Sequence, residues 1–289
     1  MKSITEYIRL LVELNKLRIT IIVTLTTLAG YTLAAGTIDQ KVALPLLGIF
    51  ILACGSAALN QFQERDKDIL MNRTKTRPIP SGNIKPLTAL IIAIIEIGLG
   101  TWIVYVGNGF EAAFLGFMAF VWYNLIYTPL KRITAFAVIP GSVIGAIPPM
   151  VGWVAGGGTL HDPRLYIMAF FFFMSQAPHF WLLMLKYGEE YDQAGFPVII
   201  RIFNTQQIRR VTFVWIVATA LNIILLLFSG LIHTYIFTIV VTLAAVWLIV
   251  AFLKLVTKPH EDFNPFKLFM RLNMFLLVII IAMIVDPLV

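Results

Sequence analysis

Cysteine is almost missing from this 289-residue chain, and the one present, Cys54, sits inside an apolar run. A disulfide framework and a cysteine-held metal cluster are therefore excluded, and the redox compartment is not readable. Charge is scarce too. Only 13% of the residues are Asp, Glu, Lys or Arg and 59% are hydrophobic, whereas a soluble domain carries about 25% charge. No water-soluble fold hides that much apolar surface. A single targeting stretch does not explain the excess, because apolar runs recur to the last residue; the N-terminus is expected to be retained. An Arg- and Ser-rich leader is likewise not seen, which leads us to expect a bacterial inner (plasma) membrane rather than an organelle. Strict apolar/polar alternation is absent from the runs, so they read as membrane helices rather than barrel strands.

Nine stretches are long enough, at about 20 residues, to cross roughly 30 Å of hydrocarbon. They fall near 19–36, 42–61, 88–107, 110–127, 135–155, 165–187, 211–229, 233–253 and 268–286. The expected fold is an all-α polytopic membrane protein, one domain over residues 1–289, with nine helices around a central cavity. Alternating the loops across the bilayer puts 20 of the 22 Lys and Arg residues on one side, with Lys41 and Arg164 alone opposite. Under the positive-inside rule the N-terminus is inside and the C-terminus outside. The formal charge of +7 then follows from this bias, and no nucleic-acid partner is expected. A secondary transporter would share the intramembrane acids, but its charges line a path through both faces, and here ten of the fifteen acidic residues lie on one.

Two inner loops, near 62–87 and 187–210, hold six of the fifteen acidic residues in two tight groups. In the first, Asn60, Glu64 and Asp68 recur at i, i+4 and i+8, so a second helix continuing into this stretch carries them on one face. Three oxygen donors in a stripe suit Mg²⁺, which is held by one or two carboxylates plus substrate phosphates, and so suit a diphosphate ester. Arg65, Arg73, Lys75 and Arg77 supply counter-charge for phosphate, while Asp66 falls off the stripe and pairs locally. A solvated helix cap has the same mixed charges, and spacing alone does not choose between the two. The second loop groups Glu189, Glu190 and Asp192 beside Lys186 and Tyr191. The two acidic segments follow helices two and six. A four-helix offset preserves sidedness and points to two tandem units facing each other across the cavity.

The block N-x-x-x-E-R-D-x-D-x-x-M-x-R-T-x-x-R-P from Asn60 to Pro78 resembles the UbiA superfamily of intramembrane prenyltransferases. Three further blocks agree. They are Lys16-Leu17-Arg18-Ile19-Thr20, Tyr127-Thr128-Pro129-Leu130-Lys131-Arg132, and Ala177-Pro178-His179-Phe180-Trp181 running on to Glu190-Tyr191 and Ala194-Gly195-Phe196-Pro197. The similarity covers roughly residues 13–200, and the Pro-His-Phe block with Glu-Tyr points to the heme-modifying branch. Glu64 stands where that family usually has Asp, and Leu17 where Pro is common. The second acidic segment lacks the register of the paired aspartates in quinone-type members, which leaves the number of Mg²⁺ ions open.

The resemblance implies Mg²⁺-dependent transfer of a farnesyl group from farnesyl diphosphate to a vinyl group of heme b, heme being substrate rather than cofactor. It implies that Asn60, Glu64 and Asp68 hold Mg²⁺ and that Arg65, Arg73, Arg77, Lys131 and Lys186 clamp phosphate. Glu190 and Tyr191 join the catalytic set, and Tyr123, Tyr127 or the Phe170–Phe173 run face the allylic cation. His179 lies inside the sixth span beside Pro178; an ionisable group at that depth reads as functional, as a heme contact or substrate-positioning donor, and otherwise as a neutral interhelical histidine. His161, His233 and His260 lie in or beside loops and have no expected chemistry; intramembrane Glu96 pairs with an interhelical donor and has no assigned role. Expected partners beyond the bilayer are downstream heme-modifying or terminal oxidase assembly proteins. Another acceptor, a quinone precursor or other aromatic, is the alternative chemistry. Active-site loops are expected on the cytoplasmic side.

Overall fold

The computed structural model describes residues 3–258 and 263–289, so Lys2 and His260 lie outside the described residues. Within them every regular element is helical. A short amphipathic helix, α1 (Ile4–Leu14), precedes α2 (Leu17–Ala35), α3 (Ala43–Asp68), α4 (Pro86–Phe120), α5 (Val143–Ala155), α6 (Pro163–Gln193), α7 (Thr205–Phe228), α8 (Tyr235–Phe252) and α9 (Pro265–Val285). Short turns of helix continue several of these, including a π-helical stretch Val121–Tyr127 that prolongs α4 to Leu130.

Among the described residues eight runs, α2 through α9 with their extensions, are long and apolar enough to cross a membrane, where the sequence windows number nine. The difference lies at residues 86–130. Windows 88–107 and 110–127 form one 45-residue run, whose direction changes at Gly109, with φ of 81° and ψ of −175°. Such angles suit glycine because it has no Cβ to clash. The contacts on α3 show the reversal. Before the break, Gly107 meets Leu44 and Gly100 meets Leu52, whereas Ala93 meets Gly55. After it, Gly116 meets Ile49 and Leu52, Asn124 reaches Ser56, and Asn60 reaches Thr128. The two arms therefore run antiparallel along adjacent faces of α3.

Between apolar helices in lipid there is little hydrophobic drive, and close van der Waals packing of small residues takes its place. The Gly152-x-x-x-Gly156 pair of α5 shows this against α2: a Cβ on Gly152 would lie 1.8 Å from the Thr27 carbonyl oxygen. The long amphiphilic helix α6 carries Pro178 internally, and α3 runs to Asp68 rather than stopping near residue 61. Its extension by about two turns meets the condition on which the Asn60–Glu64–Asp68 stripe depends.

Candidate active site at one end of the bundle

Asn60, Glu64 and Asp68 lie on one face of the final turns of α3, and none is a solvated cap residue. Their exposures are 2%, 5% and 0%. Burying two carboxylates requires partners, and each member of the stripe has a cation. Lys16 Nζ donates to Asn60 Oδ1 at 2.8 Å, Lys131 Nζ pairs with Glu64, and Arg77 Nη1 donates to both Asp68 oxygens at 2.9 and 2.8 Å. Among the described residues no three His, Cys, Asp or Glu side chains converge as a ready-made metal cage. Two carboxylates and an amide oxygen match instead the open donor set that leaves room for phosphate oxygens.

The amide is oriented from behind. Asn60 Nδ2 donates to Thr128 Oγ1 at 3.2 Å, and that hydroxyl donates to the Tyr123 carbonyl at 2.9 Å. The chain of donors leaves Asn60 Oδ1 turned toward Lys16. Thr128 follows the π-helical stretch, a rare conformation that recurs at functional sites. Asn124 within it bonds Ser56 O at 3.0 Å and Gln63 Oε1 at 3.2 Å, tying the stretch to α3.

Electrostatics at the rim are positive. Lys16 is lowered from 10.5 to about 7, first by burial and then by the Arg77 and Lys131 charges. Lys131 is raised: burial pushes it down, but Glu64 outweighs that, with Tyr127 and Tyr191 helping. Its ammonium lies 5.5 Å from the centre of the Tyr127 ring and 5.8 Å from that of Phe196, and Tyr127 stacks on Tyr123 with centres 6.2 Å apart.

The second acidic segment closes over the first. Arg73 Nη2 donates to the Tyr191 hydroxyl at 2.9 Å, and its backbone N–H to Glu190 Oε2 at 3.3 Å. Lys67 Nζ donates to the Ala194 carbonyl at 2.7 Å. A void of about 20 Å³ beside Lys131, Tyr191 and Phe196 has room for a water rather than a prenyl chain.

Not every residue singled out by sequence joins this cluster. Arg65 turns back onto the Phe62 carbonyl at 2.7 Å and sits 3.8 Å from Asp66. Lys75 bonds Asn72, and Lys186 lies over the Tyr187 and Phe266 rings. Asp192 is bonded to Arg201. His179 faces α9, with its ring edge-to-face on Phe269 at 4.3 Å and its Nδ1 buried without a hydrogen-bond partner among the described residues. Glu96 accepts from Asn15 Nδ2 at 2.8 Å. Sequence reasoning did not single out Lys16 and Thr128 as site residues. Both stand in the quoted blocks, Lys16-Leu17-Arg18 and Tyr127-Thr128-Pro129, and only the fold brings them to Asn60.

A buried acid-and-cation cluster at one end of a bundle of apolar, membrane-length helices is the arrangement of a polytopic membrane enzyme. Residues 23–278 match the UbiA prenyltransferase family, and the chain belongs to that family. It is similar to a protoheme IX farnesyltransferase of Geobacter sulfurreducens, 37% identical over 211 residues that cover 72% of this chain and 76% of that one. Its fold matches a digeranylgeranylglyceryl phosphate synthase at a TM-score of 0.78, with 16% identity over 97% of this chain and 98% of that one. A UbiA homologue of Archaeoglobus fulgidus, bound to GPP and Mg²⁺, matches at a TM-score of 0.69, with 13% identity over 97% of this chain and 100% of that one.

Proposed function

We propose that this chain transfers the farnesyl group of farnesyl diphosphate to a vinyl group of protoheme IX. The observation that carries the acceptor is the similarity to the Geobacter protoheme IX farnesyltransferase. The buried stripe with its cations supports the donor half. Asn60, Glu64 and Asp68 have the donor chemistry to hold Mg²⁺, which when bound would supply positive charge to the departing diphosphate oxygens. Lys16, Arg77 and Lys131, now on the stripe, then take the phosphate oxygens, with Arg73 at the rim.

The balance of the step is simple. The farnesyl C1–O bond breaks and diphosphate leaves with the electron pair. The vinyl π pair forms the new bond to C1, and water adds to the resulting cation and gives up a proton, leaving a hydroxyethylfarnesyl side chain. The chain's own work is to hold the leaving group, exclude water until the carbon–carbon bond forms, and face the allylic cation with electron-rich rings. The stacking of Tyr123 on Tyr127 beside Lys131 supports that last role for these two rings. Glu190 and Tyr191 close the lid through Arg73. His179, half-buried on α6 with its Nδ1 shielded and without a hydrogen-bond partner among the described residues, is our candidate heme contact. Arg65 and Lys186, each held elsewhere, reach phosphate only if they rotate. The chemistry is assigned to the cytoplasmic side of an inner membrane, with the N-terminus inside, from the bias of basic residues.

The test is product analysis of membranes given protoheme IX, farnesyl diphosphate, Mg²⁺ and a competing quinone precursor, with Asp68→Asn as control. Farnesylated heme that disappears in the control is the expected result. Prenylated quinone precursor would overturn the acceptor and keep the donor site. A His179→Phe variant should keep farnesyl diphosphate binding and lose the absorbance shift of added heme.

A further inference from the structure

We propose that α1 is an in-plane membrane-surface helix whose seat in the bilayer holds Lys16 on Asn60. The proposal rests on the reading above that α2–α9 cross the membrane with the site at one face. Ile4, Tyr7, Ile8, Leu11 and Val12 are all exposed and recur at three- and four-residue intervals, so they form one apolar side. Glu6, Arg9 and Glu13 take the other side, with Arg9 donating to Glu13 at 3.1 Å. Leu10 and Leu14 are buried and seat the helix on the protein; Leu14 packs with Ala58, Ile79, Ala89 and Ala93.

Eleven residues make a helix of about 16 Å, too short to span the hydrocarbon. The exposed side instead continues into the lipid-facing start of α2, where Ile19, Ile21 and Ile22 are exposed. An amphipathic helix of this kind, continuous with a membrane-facing belt, fits the boundary between headgroups and acyl chains.

The helix is also bolted to the site. Gln61 Nε2 donates to the Glu13 and Leu14 carbonyls at 2.9 and 2.8 Å, satisfying the helix end, and Asn15 bonds Glu96. Lys16 then takes φ of 49°, the one non-glycine residue with positive φ among the described residues. That conformation is costly for a side-chain-bearing residue and persists only where its neighbours impose it. Here they aim its ammonium at Asn60.

Spin labels test this in a Cys54→Ser background, which removes the only native cysteine. Labels are placed by Glu6→Cys, Ile8→Cys, Leu11→Cys and, as a transmembrane control, Val246→Cys, which is exposed on α8. The protein is reconstituted in phosphatidylcholine/phosphatidylglycerol vesicles, and collision with oxygen is compared with collision with a water-soluble nickel chelate. Labels at 8, 11 and 246 should favour oxygen, and the label at 6 should favour the chelate. Chelate-accessible labels at 8 and 11 with 246 still in lipid would overturn the proposal alone. Labels at 8 and 11 shielded from both reagents would assign the face to a second copy or another protein, and also overturn it. A chelate-accessible label at 246 would instead sink the membrane reading beneath it. The coupling has its own readout. Paired Ile8→Glu and Leu11→Glu should raise KM for farnesyl diphosphate about tenfold, the loss of one charge-assisted hydrogen bond, with kcat nearly unchanged. An unchanged KM would overturn it.

Discussion

Asp68 is fully buried, and its carboxylate depends on one guanidinium, so Arg77→Met is a sharp perturbation. Arg77 Nη1 contacts both Asp68 oxygens, and the side chains are 21% and 1% exposed. Removing one partner of a buried pair leaves the other charge desolvated and uncompensated, at a cost of about 3–5 kcal/mol. Lys16 remains close enough to recover part of it, which places the expected loss at the lower end of that range. At roughly 2–4 °C per kcal/mol the thermal midpoint of the purified protein should fall by about 10 °C. The measurement is a thermal melt in detergent, run with the single variant, Asp68→Asn, and the double variant. With the carboxylate removed as well, nothing charged is left stranded, so the double variant should melt above Arg77→Met. A double variant no more stable than the single, or a single variant that melts like the parent, would refute the buried-pair reasoning.

Thr128→Val removes the acceptor of Asn60 Nδ2 while keeping the side chain's shape; it should raise the Mg²⁺ concentration for half-maximal diphosphate release several-fold, and Thr128→Ser should restore it. Arg73→Ala removes the guanidinium bond to the Tyr191 hydroxyl and leaves the backbone N–H on Glu190, so amide exchange should quicken across residues 187–200 while α3 stays protected. Gly152→Ala places a methyl carbon 1.8 Å from the Thr27 carbonyl, and the backbones must part; a thermal midpoint equal to the parent's would show that α2 and α5 do not pack as described.

Legibility from sequence followed the range of the interaction. Membrane helices announce themselves through local composition, because a bilayer demands about twenty apolar residues in a row. The stripe of Asn60, Glu64 and Asp68 was legible because helical periodicity is local too, and α3 proved long enough to carry it. In the sequence Gly109 falls only in the gap between the windows 88–107 and 110–127. Its backbone stays within one helical run while turning the chain back on α3. The partners of the stripe were harder. Lys and Arg side chains are long, and composition does not say which way they point. Thus Arg65 and Lys186, adjacent to the right segments, turn to local carbonyl and aromatic neighbours. Lys16, distant in sequence, arrives at Asn60 because a left-handed residue between α1 and α2 aims it there.

The same pairing explains why a site of this kind can stand closed inside an apolar bundle. Two buried carboxylates would repel one another and pay full desolvation; with Lys16, Lys131 and Arg77 among them the cluster carries a small positive excess instead. An arriving diphosphate with its metal then meets charges already present and already desolvated. Asn60, Glu64 and Asp68 would hold the metal, Lys16, Lys131 and Arg77 would turn to the phosphate, and the number of unpaired charges in the low-dielectric interior would not rise. On this account the donor complex should bind far more tightly than either Mg²⁺ or diphosphate alone. Mg²⁺ alone must evict a cation with no phosphate to receive it, and diphosphate alone must strip cations from carboxylates with no metal to replace them. Calorimetric titration with Mg²⁺, inorganic diphosphate and both together measures the difference, and simple additivity of the two binding free energies would refute the exchange.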